Sequence, residues 1–250
     1  SGIAAQRPAA ERKAPREADF GRQLLFPNAR LELAQRWTPG MTAQKAIFER
    51  LNLPYEVADR EALRRRYPQM AFDDVEFAFV ETAASAAVIK AREAVLATMD
   101  VFARKGGAFR YARAVPGRAE GRRLTHLALD GGESLAAGHF VFACGPWAGK
   151  LFPELAKPRV SVWRSEYFYF GPPAGDDRFS WPNQPAWHDH ILGGYGFGSL
   201  ERGLKYSPDA GGRVTQDPDA AERLPTDYLL KKGRDYMARR FPDMRDAPVM

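Results

Sequence analysis

HFVFACGPWAGKL, residues 139–151, sets a short and nearly unbroken apolar run directly ahead of Gly145-Pro146. Apolar runs of this length, closed by a glycine and a proline, are the pattern of a strand buried on both faces. Residues 139–144 are therefore predicted to be a strand, with Cys144 as a buried, inert thiol at its end. A glycine just past such a strand has a chemical use. Open α/β sheets bind ligands at the carboxyl ends of their strands, and a residue without Cβ lets backbone approach a flat cofactor. A plain strand-ending turn with Trp147 as core filler accounts for the same residues, and the physics of the stretch leaves both readings open.

Upstream, Leu124 to Leu129 predicts a strand that turns at Asp130-Gly131, a hairpin signal. Residues 108–113 predict another strand. Before them lies the longest helical signal, over residues 85–105, where Val88, Val95, Met99 and Phe102 recur at helical spacing and Gly106-Gly107 ends the pattern. Shorter helices are expected over 59–66, with Asp59 as N-cap, and from Thr42 to the stop at Pro54, with Ile47, Phe48 and Leu51 on one face. Residues 1–20, rich in Ala, Pro, Arg and Glu, have little apolar side chain to offset ordering entropy and read as a mobile tail.

Downstream the composition changes near residue 156, the expected domain boundary. Residues 160–170 (VSVWRSEYFYF) alternate as a half-buried strand, and short strands are expected over 191–197 and 203–206. A last helix is expected to begin at Thr226, to turn Leu230, Met237 and Phe241 inward, and to stop at Pro242.

With 45% hydrophobic and 27% charged residues, the 250-residue chain has the composition of a globular protein. Its net charge of +6 is the small difference between 37 basic and 31 acidic residues, and the basic runs at Arg64 to Arg66 and Lys231 to Arg234 fall on predicted helices with acids nearby. Solvated helix faces explain that pattern better than a nucleic-acid footprint. A single cysteine excludes an intrachain disulfide and, with no signal pattern at the start, sets a cytoplasmic location as the expectation; the apolar runs are too short to cross a membrane as helices.

Most short motifs fail. Gly194-Tyr195-Gly196-Phe197-Gly198-Ser199 lacks the last glycine of a dinucleotide fingerprint and lies among strands. No phosphate loop and no nucleophile elbow occurs. His188 and His190 flank Asp189 and offer two imidazoles to a metal, but a pair without a third ligand nearby is a poor site, so no metal is expected.

The order of these segments carries more than any one of them. KGGAFRYARAV after the long helix, the hairpin LTHLALDGGESLAA, HFVFACGPWAGKL, the aromatic strand SVWRSEYFYF, then YGFGSLERGLKY and a helix ending in RRFPDM together resemble the FAD-dependent oxidoreductase superfamily of D-amino-acid oxidase, in its sarcosine oxidase and N-methyltryptophan oxidase branch. The resemblance runs from about residue 42 to 250. It implies an α/β fold with an α+β substrate domain: residues 78–155 as part of a glutathione-reductase-type FAD-binding layer, and residues 21–77 and 156–250 as a mixed or antiparallel sheet with helices.

The resemblance further implies FAD as cofactor, oxidation of the C–N bond of an amine or amino acid, and oxygen as acceptor. Val115 matches a strand end near the adenosine of FAD, and Gly145 and Trp147 match the glycine and aromatic residue beside the flavin. Tyr195 matches an active-site tyrosine, and Lys205 matches the lysine over the flavin ring where oxygen reacts, one residue nearer to Tyr195 than in the family. The histidine that follows that lysine in the family has no counterpart in Tyr206 to Asp209, and the glycine-rich turn that grips the FAD pyrophosphate is not found in these 250 residues, so the cofactor site within them is expected to be incomplete. The competing expectations are a non-catalytic binding module of the same fold and, on charge alone, a basic nucleic-acid-binding protein.

Overall fold

The computed structural model describes residues 19–156, 159–209, 213–214 and 217–250, so the expected tail falls almost wholly outside the described residues. The chain divides into two compact units. The first comprises residues 1–101, 165–211 and 225–250, and the second residues 102–164 and 212–224.

The first unit is built on seven strands: β1 (Arg30–Ala34), β2 (Tyr55–Asp59), β3 (Phe77–Glu81), β4 (Phe168–Phe170), β5 (Ala186–Asp189), β6 (Gly194–Phe197) and β7 (Leu204–Ser207). Their order is β4-β7-β6-β5-β1-β3-β2, antiparallel except where β5 runs parallel to β1. Because side chains alternate, register assigns one row, Phe168, Tyr206, Gly196, Trp187, Leu31 and Val80, to one face. All six are buried.

Helix α4 (Asp227–Arg240) closes that face. Tyr236 stacks on Tyr206 at a centroid distance of 4.2 Å, and Phe241 lies 4.9 Å from Trp187. Thr226 caps the helix by accepting from the Leu229 N–H, and Phe241 ends it before Pro242, as the sequence pattern predicts. The opposite face is covered at its β1–β3 end by α1 (Pro39–Arg50), whose Met41 and Phe48 pack on Phe79. Pro39 occupies the first helical turn, with Thr38 as N-cap, so this helix begins ahead of Thr42, and Ile47, expected inside, is exposed. Helix α2 (Arg60–Arg66) has the expected Asp59 cap. Three of its four arginines are matched by acids: Arg60 pairs with Glu76, Arg64 with Glu61 and Asp73, and Arg66 with Glu56.

Several sequence expectations need correction. The long helix, α3 (Ala91–Arg104), starts later than residue 85, because residues 87–89 pair as a strand with residues 25–27 and Val88 is buried there. The segment 160–170 breaks in two: Trp163–Arg164 pairs with Arg213–Val214, whereas Phe168–Phe170 joins the large sheet. Residues 191–193 form a turn, held by Asp189 accepting from the Ile191 and Leu192 N–H groups.

In the second unit, residues 108–113 are not a strand. Arg113 and Asp130 exchange hydrogen bonds at the mouth of the hairpin, so pairing with residues 127–129 begins only at Ala114. The expected hairpin is present, residues 126–129 pairing with 134–136 across a turn in which Gly131 and Gly132 have φ of 88° and 84°. Residues 139–144 are also not a strand: no strand among the described residues lies in register to pair with them, and Val141 is 92% exposed. A short 3-10 turn, Gly145–Trp147, follows. Cys144, expected to be buried, is half-buried.

Candidate functional site

The face of the large sheet opposite to α4 is where chemistry collects. Register places Ser207, Tyr195, His188, Glu32 and Phe79 in one cross-strand row, and Tyr169, Lys205 and Phe197 in a neighbouring one. Lys205 and Tyr195, singled out by the sequence pattern, are thus brought together. The Lys205 amine lies over three aromatic rings, 4.8 Å from the centre of Tyr167, 5.1 Å from Phe197 and 6.0 Å from Tyr195. No hydrogen bond or ion pair engages its Nζ among the described residues, and burial lowers its pKa from the ordinary lysine value. Tyr195 and Tyr167 are 44% and 59% exposed, so the aromatic surround opens outward rather than into the core.

Beside Tyr195 the same face carries a polar cluster. Glu32, almost fully buried, faces His188 Nδ1 at 3.2 Å and His190 Nε2 at 2.6 Å, both through Oε2. Its second oxygen meets Arg30. His188 Nε2 reaches Asp209 at 3.0 Å. Burial alone would raise the Glu32 pKa, but the His188 hydrogen bond, the Arg30 charge and the His190 hydrogen bond outweigh it and hold the carboxyl below its usual range. The Glu32 hydrogen bond in turn raises the His188 pKa against the effect of burial, with Asp209 adding to it.

The other predicted residues belong to the second unit. Val115 is half-buried in a short strand opposite Ala128. Gly145 has φ of +50°, with open space where a Cβ would stand. Trp147 is 40% exposed and is held by its indole N–H donating to Asp219 at 2.7 Å; Lys150 bonds both Asp219 and Asp217. Sequence reasoning missed Glu32, Asp209, Tyr167 and Phe197. The alternation of Tyr195 with Phe197 was a usable signal for Phe197, because side chains two apart on a strand share a face. No local signal pointed to Glu32, which meets His188 only through the parallel pairing of β1 with β5.

The model of the FAD dependent oxidoreductase (DAO) family matches residues 5–249, and the chain belongs to that family. Among curated proteins it is similar to the monomeric sarcosine oxidase of Streptomyces avermitilis, with 28% identity over 207 residues, 77% of this chain and 50% of that protein. The chain thus spans about half the length of the curated relative it matches. Among solved structures it superposes on L-proline dehydrogenase from P. horikoshii with a TM-score of 0.78 at 14% identity, covering 96% of this chain and 62% of that one. Glycine oxidase from Bacillus cereus gives 0.72 at 12%, covering 96% and 63%. At such identities the likeness concerns the fold, and the expected α/β architecture with a mixed sheet is the one found. Among the described residues no helix is long and apolar enough to cross a membrane.

Proposed function

We propose that this chain supplies the substrate-side face and part of the FAD-binding layer of an oxidase acting on the C–N bond of an amine or amino acid, with oxygen as acceptor. The family is FAD-dependent. One observation carries the reading: an amine, lowered in pKa by burial and without a carboxylate partner among the described residues, sits among three aromatic side chains on an open sheet face.

That arrangement fits a flavin. A lysine held mainly by aromatic rings keeps its charge available to a neighbour, whereas an ion-paired lysine has spent it. FAD, when bound, accepts a hydride equivalent from the substrate and supplies the redox chemistry. Lys205 then places a fixed positive charge where negative charge develops on reacting oxygen, and Tyr195 presents a phenol to the substrate from the adjoining strand. In the second unit, residues of about 102–155 are assigned to the cofactor layer, with the backbone of Val115 and Gly145 lining it and Trp147, fixed by Asp219, alongside.

The test is Lys205→Met in the flavin-loaded enzyme, followed by stopped-flow. Methionine keeps length and apolar volume and removes the charge. Reduction by substrate is expected to change little, while reoxidation by oxygen slows by about 10²-fold, the effect of losing one stabiliser of developing charge. A crippled reductive half with an intact oxidative half would move Lys205 to the substrate side and overturn the assignment.

A further inference from the structure

We propose that Glu32, His188 and His190 form a binding site for a first-row divalent transition-metal ion. The inference rests on the sheet alone and is independent of the flavin reading. His188 and His190 are two apart near the end of β5 and share a face, while Asp189 between them points into the core, where it is fully buried and held by Arg240 and Tyr236. That anchor fixes the segment that carries both imidazoles. β1 runs parallel to β5 with Glu32 in register beside His188, which supplies the third ligand that the sequence pair lacks.

The ligand atoms are Glu32 Oε2, His188 Nδ1 and His190 Nε2. All three lie within 4.8 Å of one another. Around a tetrahedral ion with bonds of about 2.0 to 2.2 Å, ligand atoms stand roughly 3.3 to 3.6 Å apart, so a small rotation of the histidine side chains completes the geometry. Arg30 takes the other Glu32 oxygen and leaves Oε2 to bind through one atom. Asp209, on His188 Nε2, has the place of the outer carboxylate that commonly orients a metal-bound histidine, fixing the tautomer with the Nδ1 lone pair toward the site. Two nitrogens and one oxygen suit zinc, nickel or copper rather than magnesium or calcium, which prefer oxygen alone. The two histidine side chains are each 27% exposed, so the remaining coordination positions open to water.

The competing reading is a cluster bridged only by protons. Isothermal titration of the chelator-treated full chain with zinc chloride decides between them, in a Cys144→Ser background to remove the thiol. One zinc ion per chain is expected. His190→Ala and Glu32→Gln should each weaken binding at least about tenfold, and Asp209→Asn by about 10 to 100-fold as an outer-shell change. The other two histidines of the chain, His126 and His139, are the internal control, and their joint replacement by alanine should leave the affinity unchanged. Since Glu32→Gln could disturb the sheet, copper-loaded samples give a second readout. Electron paramagnetic resonance should report two imidazole nitrogens in the parent chain and one in His190→Ala. Absence of stoichiometric binding, binding indifferent to His190→Ala, or binding lost with His126 and His139 would overturn the proposal.

Discussion

Lys205 and Arg240 are two cations taken out of water by opposite means. Arg240 is 1% exposed and pairs through its guanidinium with Asp189 at 2.8 Å and Asp74 at 2.9 Å. Arg240→Met would leave the Asp189 carboxylate, itself fully buried, facing only the Tyr236 hydroxyl and two backbone amides. Removing one partner of a buried pair costs about 3 to 5 kcal/mol, and urea unfolding should show a loss of that size. Lys205 has aromatic rings and, among the described residues, no acid partner, so the fold disfavours its charged form and its folded pKa lies below 10.5. The sign follows from linkage: the penalty is complete below the folded pKa, fades as pH rises through it, and is gone above the unfolded value. Lys205→Met should therefore be at least as stable as the parent at pH 7, by at most about 1 kcal/mol for a part-buried amine, and the gap should close near pH 10. Unfolding both proteins at the two pH values checks this, and a parent that loses ground as pH rises would contradict it. Lys205 was legible because GLK is a local pattern. Glu32 was not, since its role depends on a partner 156 residues away.

At the scale of elements, the glycines of β6 explain why a dinucleotide-like spacing appears where no dinucleotide turn exists. Gly194 and Gly196 alternate along the strand and Gly198 follows just past its end, and all three lie flush against neighbours: a Cβ on Gly196 would run into the Lys205 carbonyl and come within 2.5 Å of the Trp187 ring, and one on Gly198 would stand 2.6 Å from Gln184 Cβ. The first and second admit the Tyr206 and Trp187 rings that pack against α4. Gly196→Ala should cost more than about 3 kcal/mol, because backbone on one side and a buried indole on the other cannot both give way. A thermal melt should show a fall of roughly 10 °C. The change also displaces the strand edge that sets Lys205 opposite Phe197, so the aromatic surround should loosen with it. The helix ends were readable from Thr226, Asp59 and Pro242, where capping is a matter of a few adjacent residues. The strands at 139–144 and 108–113 were misread because an apolar run becomes a strand only where another lies ready to pair.

The whole molecule joins two units of unequal character. Among the described residues the whole buried hydrophobic core belongs to the first, and in the second only Pro218 is buried, while Val141, Tyr111, Trp163 and Phe109 are more than half exposed. Native-state hydrogen exchange of this chain should separate them. Amides of β1, β3, β5 and β7 are expected to exchange only through global opening, and those of the 126–136 hairpin through local opening several orders of magnitude faster. Uniform protection across both units would refute this. By itself the sequence determined the class of protein, the capped helices and the hairpin, and it singled out Tyr195 and Lys205 as a pair to look for, because each of these rests on neighbours in sequence or on the order of segments. Tertiary structure alone decided which face of the sheet is open, that Tyr167 and Phe197 surround the amine, and that Glu32 joins two histidines. Those are consequences of register between distant strands, and register is a property of paired backbones that no single segment contains.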